Sequence, residues 1–180
     1  MKVEQSNVLS EVKIVTPDVF HDYRGKYIET YNEKEYSSSL TDYNGEPLKF
    51  VQDDVSLSRQ HVLRGLHGDF KTWKLIQCLY GSIYVAVVDM RADSPNYLKH
   101  DTFSVSEHDR RQVLVPAGFA NGHLCLSDDC VFSYKQTTYY EGQGKQFTVR
   151  YNDPLVGITW PVEDVILSKR DRTASLLGAQ

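Results

Sequence analysis

Ile83-Tyr84-Val85-Ala86-Val87-Val88 is β-branched at four of its six positions and apolar on both faces of an extended chain. Entered through the turn residues Tyr80-Gly81, it reads as a strand covered on both sides, as in the middle of a sandwich. It is far too short to span a bilayer. A second stretch, Val51-Gln52-Asp53-Asp54-Val55-Ser56-Leu57, is apolar at 51, 55 and 57 and polar at 52, 54 and 56. That two-residue period predicts a strand with its apolar face buried. Outward from these two lie β-rich segments at residues 26–31, 74–79, 112–115 and 131–138. They are punctuated by Asp22-Tyr23-Arg24-Gly25, Asn44-Gly45, Asp93-Ser94-Pro95-Asn96 and Asn152-Asp153-Pro154,. Helical signals are few. Residues 32–40 predict one short helix. Ser168-Lys169-Arg170-Asp171 has capping-box spacing ahead of Ala174-Ser175-Leu176-Leu177 and predicts another,. Many short strands with frequent turns imply an all-β sandwich or barrel, a jelly roll with short peripheral helices.

Composition bounds the function. The chain has 180 residues, 20 basic and 24 acidic side chains and a formal net charge of −4. That length suits a single domain over residues 1–180 with a sizeable core. Aromatic and aliphatic residues recur throughout, which excludes general disorder. A mildly acidic chain without a Lys/Arg block offers no phosphate-neutralising face, so a nucleic-acid partner is not expected. The N-terminal Met1-Lys2-Val3-Glu4-Gln5-Ser6-Asn7 lacks the apolar core of a signal peptide,. Cys78, Cys125 and Cys130 are odd in number, contain no Cys-x-x-Cys pair and lie in or beside apolar runs. They read as buried free thiols, and the chain as a cytoplasmic protein with no membrane partner.

Three constellations bear on chemistry. The first is Val115-Pro116-Ala117-Gly118-Phe119-Ala120-Asn121, which matches the Pro-x-Gly-x-x-His turn of cupins except at its last position. A neutral amide is a poor transition-metal ligand beside imidazole, so no catalytic metal is expected. His123, two residues on, shares a strand face with Asn121. The second is Arg64-Gly65-Leu66-His67 followed by Trp73-Lys74-Leu75. On neighbouring strands, His67 and Lys74 would converge as a general base and an oxyanion-stabilising ammonium. The plain alternative is a turn histidine and a solvated lysine. The third is Phe132-Ser133-Tyr134-Lys135-Gln136-Thr137-Thr138, whose alternation puts 132, 134, 136 and 138 on one face. Tyr134 is then either an inward proton donor or a tyrosine buried for its area. Asp171 is either the third helical residue of a capping box or the acid that orients a histidine. Spacing leaves both open.

Taken in order, these motifs resemble the sugar-nucleotide 3,5-epimerase family, typified by dTDP-4-dehydrorhamnose 3,5-epimerase. The likeness runs almost end to end. It includes Phe20-His21-Asp22-Tyr23-Arg24-Gly25 with Glu29, Phe50-Val51-Gln52-Asp53, Leu63-Arg64-Gly65-Leu66-His67, Lys74-Leu75 and Val88-Asp89-Met90-Arg91. It continues through Pro116-Ala117-Gly118-Phe119-Ala120, Tyr134 with Tyr139-Tyr140, Asn152-Asp153-Pro154 and Ser168-Lys169-Arg170-Asp171. The resemblance implies a cupin-type jelly roll and a cofactor-independent isomerase acting on an NDP-4-keto sugar. It implies His67 as base, Asp171 as its orienting carboxylate, Lys74 as enolate stabiliser and Tyr134 as proton donor. Arg64 falls in the sugar-diphosphate site, with Asn121 and Tyr139 among the substrate contacts. Arg24, Glu29 and Gln52 resemble nucleotide-side contacts, supplied partly by the partner in a homodimer that exchanges N-terminal strands.

Several positions depart from the family pattern. Gly68-Asp69-Phe70 follows the Arg-Gly-Leu-His motif where an aromatic and Gln are usual. Asn121 stands for a His, His123 for a Phe and Asp54 for an Asn. These changes resemble a branch acting on GDP-linked 4-keto heptoses in bacterial capsule polysaccharide synthesis, with dTDP-4-keto-6-deoxyhexose the other substrate in view. Alternatives of neighbouring chemistry are a single-centre 3-epimerase and a 3,4-ketoisomerase. A non-catalytic carbohydrate-binding jelly roll is the alternative of another class, and it would need no His67–Asp171 pair.

Overall fold

A computed structural model describes residues 1–178. Its strands are β1 Lys2–Gln5, β2 Lys13–Thr16, β3 Val19–Asp22, β4 Gly25–Ile28, β5 Gln52–Arg59, β6 Leu63–Gly68 and β7 Lys74–Tyr80. They continue with β8 Ser82–Asp89, β9 His100–Ser106, β10 Gln112–Val115, β11 Phe119–Cys125, β12 Asp129–Gln136 and β13 Phe147–Thr148. Two short helices, α1 Glu33–Ser39 and α2 Lys169–Arg172, lie outside them. No helix among the described residues is long and apolar enough to cross a membrane.

Two sheets face each other. One has the order β1-β2-β10-β7-β12-β5, the other β13-β6-β11-β8-β9. All strand pairings within these two sheets are antiparallel, and most connect strands distant in sequence. This is the expected jelly roll. Residues 83–88 occupy β8, between β11 and β9. Ile83, Val85 and Val87 enter the apolar layer between the sheets, with Ile76, Val113, Val115 and Phe119. Ala86 and Val88 pack on the outside under Val149 and Val156 of the C-terminal segment. Both faces are therefore dry, as the sequence of β8 demands. A third cluster, with Tyr36, Leu40, Trp73 and Leu114, seats α1 on the outside of the first sheet. The helix begins at Asn32, whose Oδ1 accepts the Lys34 N–H at 3.1 Å and so satisfies an end donor,. The Asp89 carboxylate is fully buried and takes hydrogen bonds from Arg91 and Ser94. That accounts structurally for the Val88–Arg91 motif. The three cysteines are free and buried.

The strand at residues 51–57 inverts its expected orientation. β5 is the edge of its sheet, and its outer face carries Val55 and Leu57, 55% and 70% exposed, with Val51 just before the strand 46% exposed. Its inner face carries Gln52, Asp54, Ser56 and Ser58. The physical reason is local. At this end the space between the sheets is a polar cavity rather than core, so polar side chains point inward. The predicted C-terminal helix is also shorter than the pattern suggests, ending before Ala174.

Candidate active site

The two sheets enclose a cavity of about 1130 Å³ at the β5–β6 end. His67 and Asn121 are direct register partners on β6 and β11. Lys74 and Gln136 are register partners on β7 and β12 of the facing sheet, with Tyr134 two residues along β12. His67 and Lys74 thus reach one cavity from opposite walls, not from hydrogen-bonded neighbours as the spacing suggested. The turn between β6 and β7 carries the chain from one sheet to the other.

Gly65 makes this packing feasible. At φ +125°, a Cβ there would lie 2.6 Å from Gly122 Cα and 2.8 Å from Asn121 O. Only glycine permits β6 and β11 to approach so closely, which explains Gly in the middle of Arg64-Gly65-Leu66-His67.

Asp171 fills both roles that spacing left open. Its N–H donates to Ser168 Oγ at 3.1 Å, capping α2. Its Oδ1 lies 2.6 Å from His67 Nε2. Burial pushes the Asp171 carboxyl up, but the hydrogen bond and charge of His67 outweigh it and hold the group below the ordinary carboxylate range. An ionised carboxylate only accepts, so Nε2 carries a hydrogen in either charge state of the ring, and in the neutral ring the lone pair sits on Nδ1. The fold therefore holds the His67 ring in one orientation through Asp171.

Lys74 is buried, and its Nζ donates to Asn121 Oδ1 at 3.2 Å. Burial lowers its pKa, Asp69 partly offsets this and Arg170 adds to it. A desolvated ammonium gains most from an anion formed beside it. Tyr134 is pushed up to about 12 by burial and by the negative charges of Asp54 and ionisable Tyr140, with Arg64 opposing. It stays a proton donor at neutral pH. Asp54, opposite Tyr134 in register, accepts from Gln52 Nε2 at 2.7 Å and Gln136 Nε2 at 2.8 Å.

The remaining expected residues divide. Arg64 lines the cavity and is held to β5 by Ser58 Oγ at 2.9 Å and Leu57 O at 3.1 Å. Tyr139 lines an adjacent cavity of about 520 Å³ that shares Gln136, Tyr140 and Gln146 with the first. Gln52 lines neither cavity, but its Oε1 accepts the Tyr140 N–H at 2.8 Å and its Nε2 donates to the Asp54 carboxylate that Gln136 also holds. Arg24 and Glu29 line neither cavity. Arg24 sits at the tip of the exposed β3–β4 hairpin, paired with Asp22 at 2.6 Å. Cavity residues that were not anticipated include Ser56, Gln136 as a carboxylate partner, Lys169 and Arg170. Arg170 is bonded to Thr148 Oγ1 at 3.0 Å and Gln146 Oε1 at 3.4 Å, and its Nη2 is buried without a partner. Its place beside Asp171 in the capping box was the available signal. Among the described residues no three His, Cys, Asp or Glu side chains cluster as metal ligands would. The cationic groups of the cavity are side chains: Lys74, Arg64, Lys169 and Arg170.

The dTDP-4-dehydrorhamnose 3,5-epimerase family profile matches residues 6–178. The chain is 35% identical to the dTDP-4-dehydrorhamnose 3,5-epimerase of Salmonella typhimurium, over 98% of this chain and 96% of that protein. It is 38% identical to the enzyme of that name from Methanothermobacter thermautotrophicus, over 88% and 85%. Its fold superposes on the crystal structure of dTDP-6-deoxy-D-glucose-3,5-epimerase from Legionella pneumophila, in complex with dTDP-4-keto-L-rhamnose. That match has a TM-score of 0.89 and 35% identity, covering 99% of this chain and 93% of the other. With the motifs, the jelly roll and the match all spanning nearly the whole sequence, the chain belongs to the dTDP-4-dehydrorhamnose 3,5-epimerase family and is an isomerase of the carbohydrate-epimerase type.

Proposed function

We propose that the chain inverts C3, C5 or both in an NDP-4-keto sugar through an enolate. One observation carries the reading: an oriented base, His67, and a protonated phenol, Tyr134, enter one cavity from facing sheets. The 4-keto group acidifies the hydrogens at C3 and C5. His67 Nδ1 takes one of them, and the C–H electron pair moves into an enolate with its charge on O4. Lys74, positioned by Asn121, stabilises that charge,. Tyr134 returns a proton to the opposite face of the carbon, and the carbonyl re-forms. Solvent then exchanges protons with His67 and the Tyr134 phenolate, closing the cycle without a redox step or a cofactor.

Arg64 and Arg170 suit the diphosphate, since a guanidinium with a free nitrogen recognises phosphate oxygens. Arg24 and Glu29 have no role in their own cavity, and a second copy gives them one. The exposed β3–β4 hairpin carries Phe20 and Tyr27, and β5 presents Val55 and Leu57 beside the exposed Tyr80 of its sheet. Exchange of the N-terminal strands in a homodimer covers this apolar surface and delivers Arg24 to the partner's cavity. The names of the relatives favour a dTDP-4-keto-6-deoxyhexose. Asn121 and His123 favour the second reading, a GDP-linked 4-keto heptose of capsule synthesis.

The test is turnover in deuterated water with dTDP- and GDP-linked 4-keto sugars. Wild type should place deuterium at C3, C5 or both, and His67→Ala should not. No exchange into any 4-keto sugar nucleotide overturns the reading.

A further inference from the structure

Among the described residues, three buried side-chain polar atoms lack a hydrogen-bond partner: Ser56 Oγ, His123 Nε2 and Arg170 Nη2. All three belong to residues lining the large cavity. Folded proteins leave few such atoms, because each forfeits its hydration without recompense. Three on one cavity therefore point to polar groups of a ligand. Arg170 is cationic and belongs with the diphosphate. Ser56 and His123 form a separate, neutral pair.

Their placement is continuous. Ser56 on β5 is the register partner of Phe132 on β12. The Phe132 ring stacks on His123 at 3.9 Å between centroids, with 10° between planes. His123 lies two residues beyond Asn121 on the same face of β11, opposite Arg64 of β6. The side chains of Ser56, Phe132 and His123 thus make one strip of wall, polar at both ends and apolar in the middle. His123 is 3% exposed. Burial, with the charge of Arg64 and the proximity of His67, pushes its pKa down to about 3, so the ring is neutral. A neutral imidazole offers one N–H and one lone pair, and a serine hydroxyl also donates and accepts. The complement of such a pair is another hydroxyl. A phosphate calls for the cationic side chains elsewhere in the cavity, and a methyl group leaves both atoms unpaired.

We propose that Ser56 and His123 form a specificity subsite that hydrogen-bonds a hydroxyl of the sugar away from the reacting carbons. The proposal rests on the epimerase reading and deepens it, naming the sugars the site selects. The enolate chemistry occupies C3, O4 and C5, and the nucleotide occupies C1. The hydroxyl is then at C2 or on the side chain carried by C5, and the experiment separates these.

The test uses three 4-keto sugars on the nucleotide that wild type turns over. One has both hydroxyls, one is the 6-deoxy sugar lacking the side-chain hydroxyl, and one lacks the C2 hydroxyl. Wild type should lose about tenfold in kcat/KM on losing whichever hydroxyl the pair holds, the net worth of one neutral hydrogen bond. His123→Phe keeps a flat ring on Phe132, and Ser56→Ala removes one oxygen. Each should shrink that discrimination severalfold, and together they should abolish it. Should His123→Phe fail to fold, Ser56→Ala carries the same comparison. Discrimination unchanged in the variants, or a loss equal on all three sugars, overturns the subsite. Deuterium exchange by wild type in the same samples keeps this failure distinct from failure of the epimerase reading, which no exchange at all would signal.

Discussion

At the scale of single residues, the site turns on one hydrogen bond. Asp171 Oδ1 fixes His67 Nε2 at 2.6 Å and leaves Nδ1 for the proposed proton transfer. Asp171→Asn keeps the size but not the tautomer, so kcat should fall by about 10²–10⁴ with KM little changed. Steady-state kinetics on a 4-keto sugar nucleotide checks this. The same pair shapes acid stability. The folded pKa of Asp171 is depressed, so its contribution is complete above the ordinary carboxylate value of about 3.9,. It declines as pH falls through the lower folded value, because the unfolded chain takes the proton first. Urea unfolding from pH 7 to pH 3 should show a shallower acid limb in Asp171→Asn than in wild type. His67, Lys74 and Tyr134 were legible because each sits in a motif whose order resembles a known family. Ser56 was not, since an isolated serine becomes informative only when its polar atom is found buried and unpaired, and Arg170, though inside the capping-box motif, drew no role until its Nη2 was found so.

At the scale of elements, β6 and β5 carry the lessons. β6 depends on Gly65, where a side chain would strike the backbone of β11. Gly65→Ala should cost about 1–3 kcal/mol or more in urea unfolding, by forcing the two strands apart. β5 was recognisable as a strand from its two-residue period, yet its apolar side faces out. Alternation tells which residues share a face. It cannot tell whether the enclosed side is core or a polar cavity. The outward Val55 and Leu57 are expected to meet a second copy of the chain. Leu57→Glu should then shift the protein from dimer to monomer in light scattering while leaving the monomer folded, since the side chain is 70% exposed in the single chain. An unchanged mass would place the dimer contact elsewhere or remove it.

At the scale of the whole molecule, function comes from having two walls. The jelly roll was legible from many short strands, and β8 from its double-sided apolar run. Which strand joins which sheet was not, because antiparallel pairs here join residues far apart in sequence. That assignment matters most: it sets His67 on one sheet and Tyr134 on the other, so in the proposed mechanism a ring held between them meets a base on one face and an acid on its opposite. The most direct test of this arrangement is deuterium placement and stereochemistry at C3 and C5 after turnover in deuterated water, comparing wild type with Tyr134→Phe. Wild type should give inverted product carrying solvent deuterium at each inverted carbon. Tyr134→Phe should still exchange deuterium through His67, but with retained configuration and little inversion. Inverted product formed by Tyr134→Phe at the wild-type rate would contradict the two-faced mechanism.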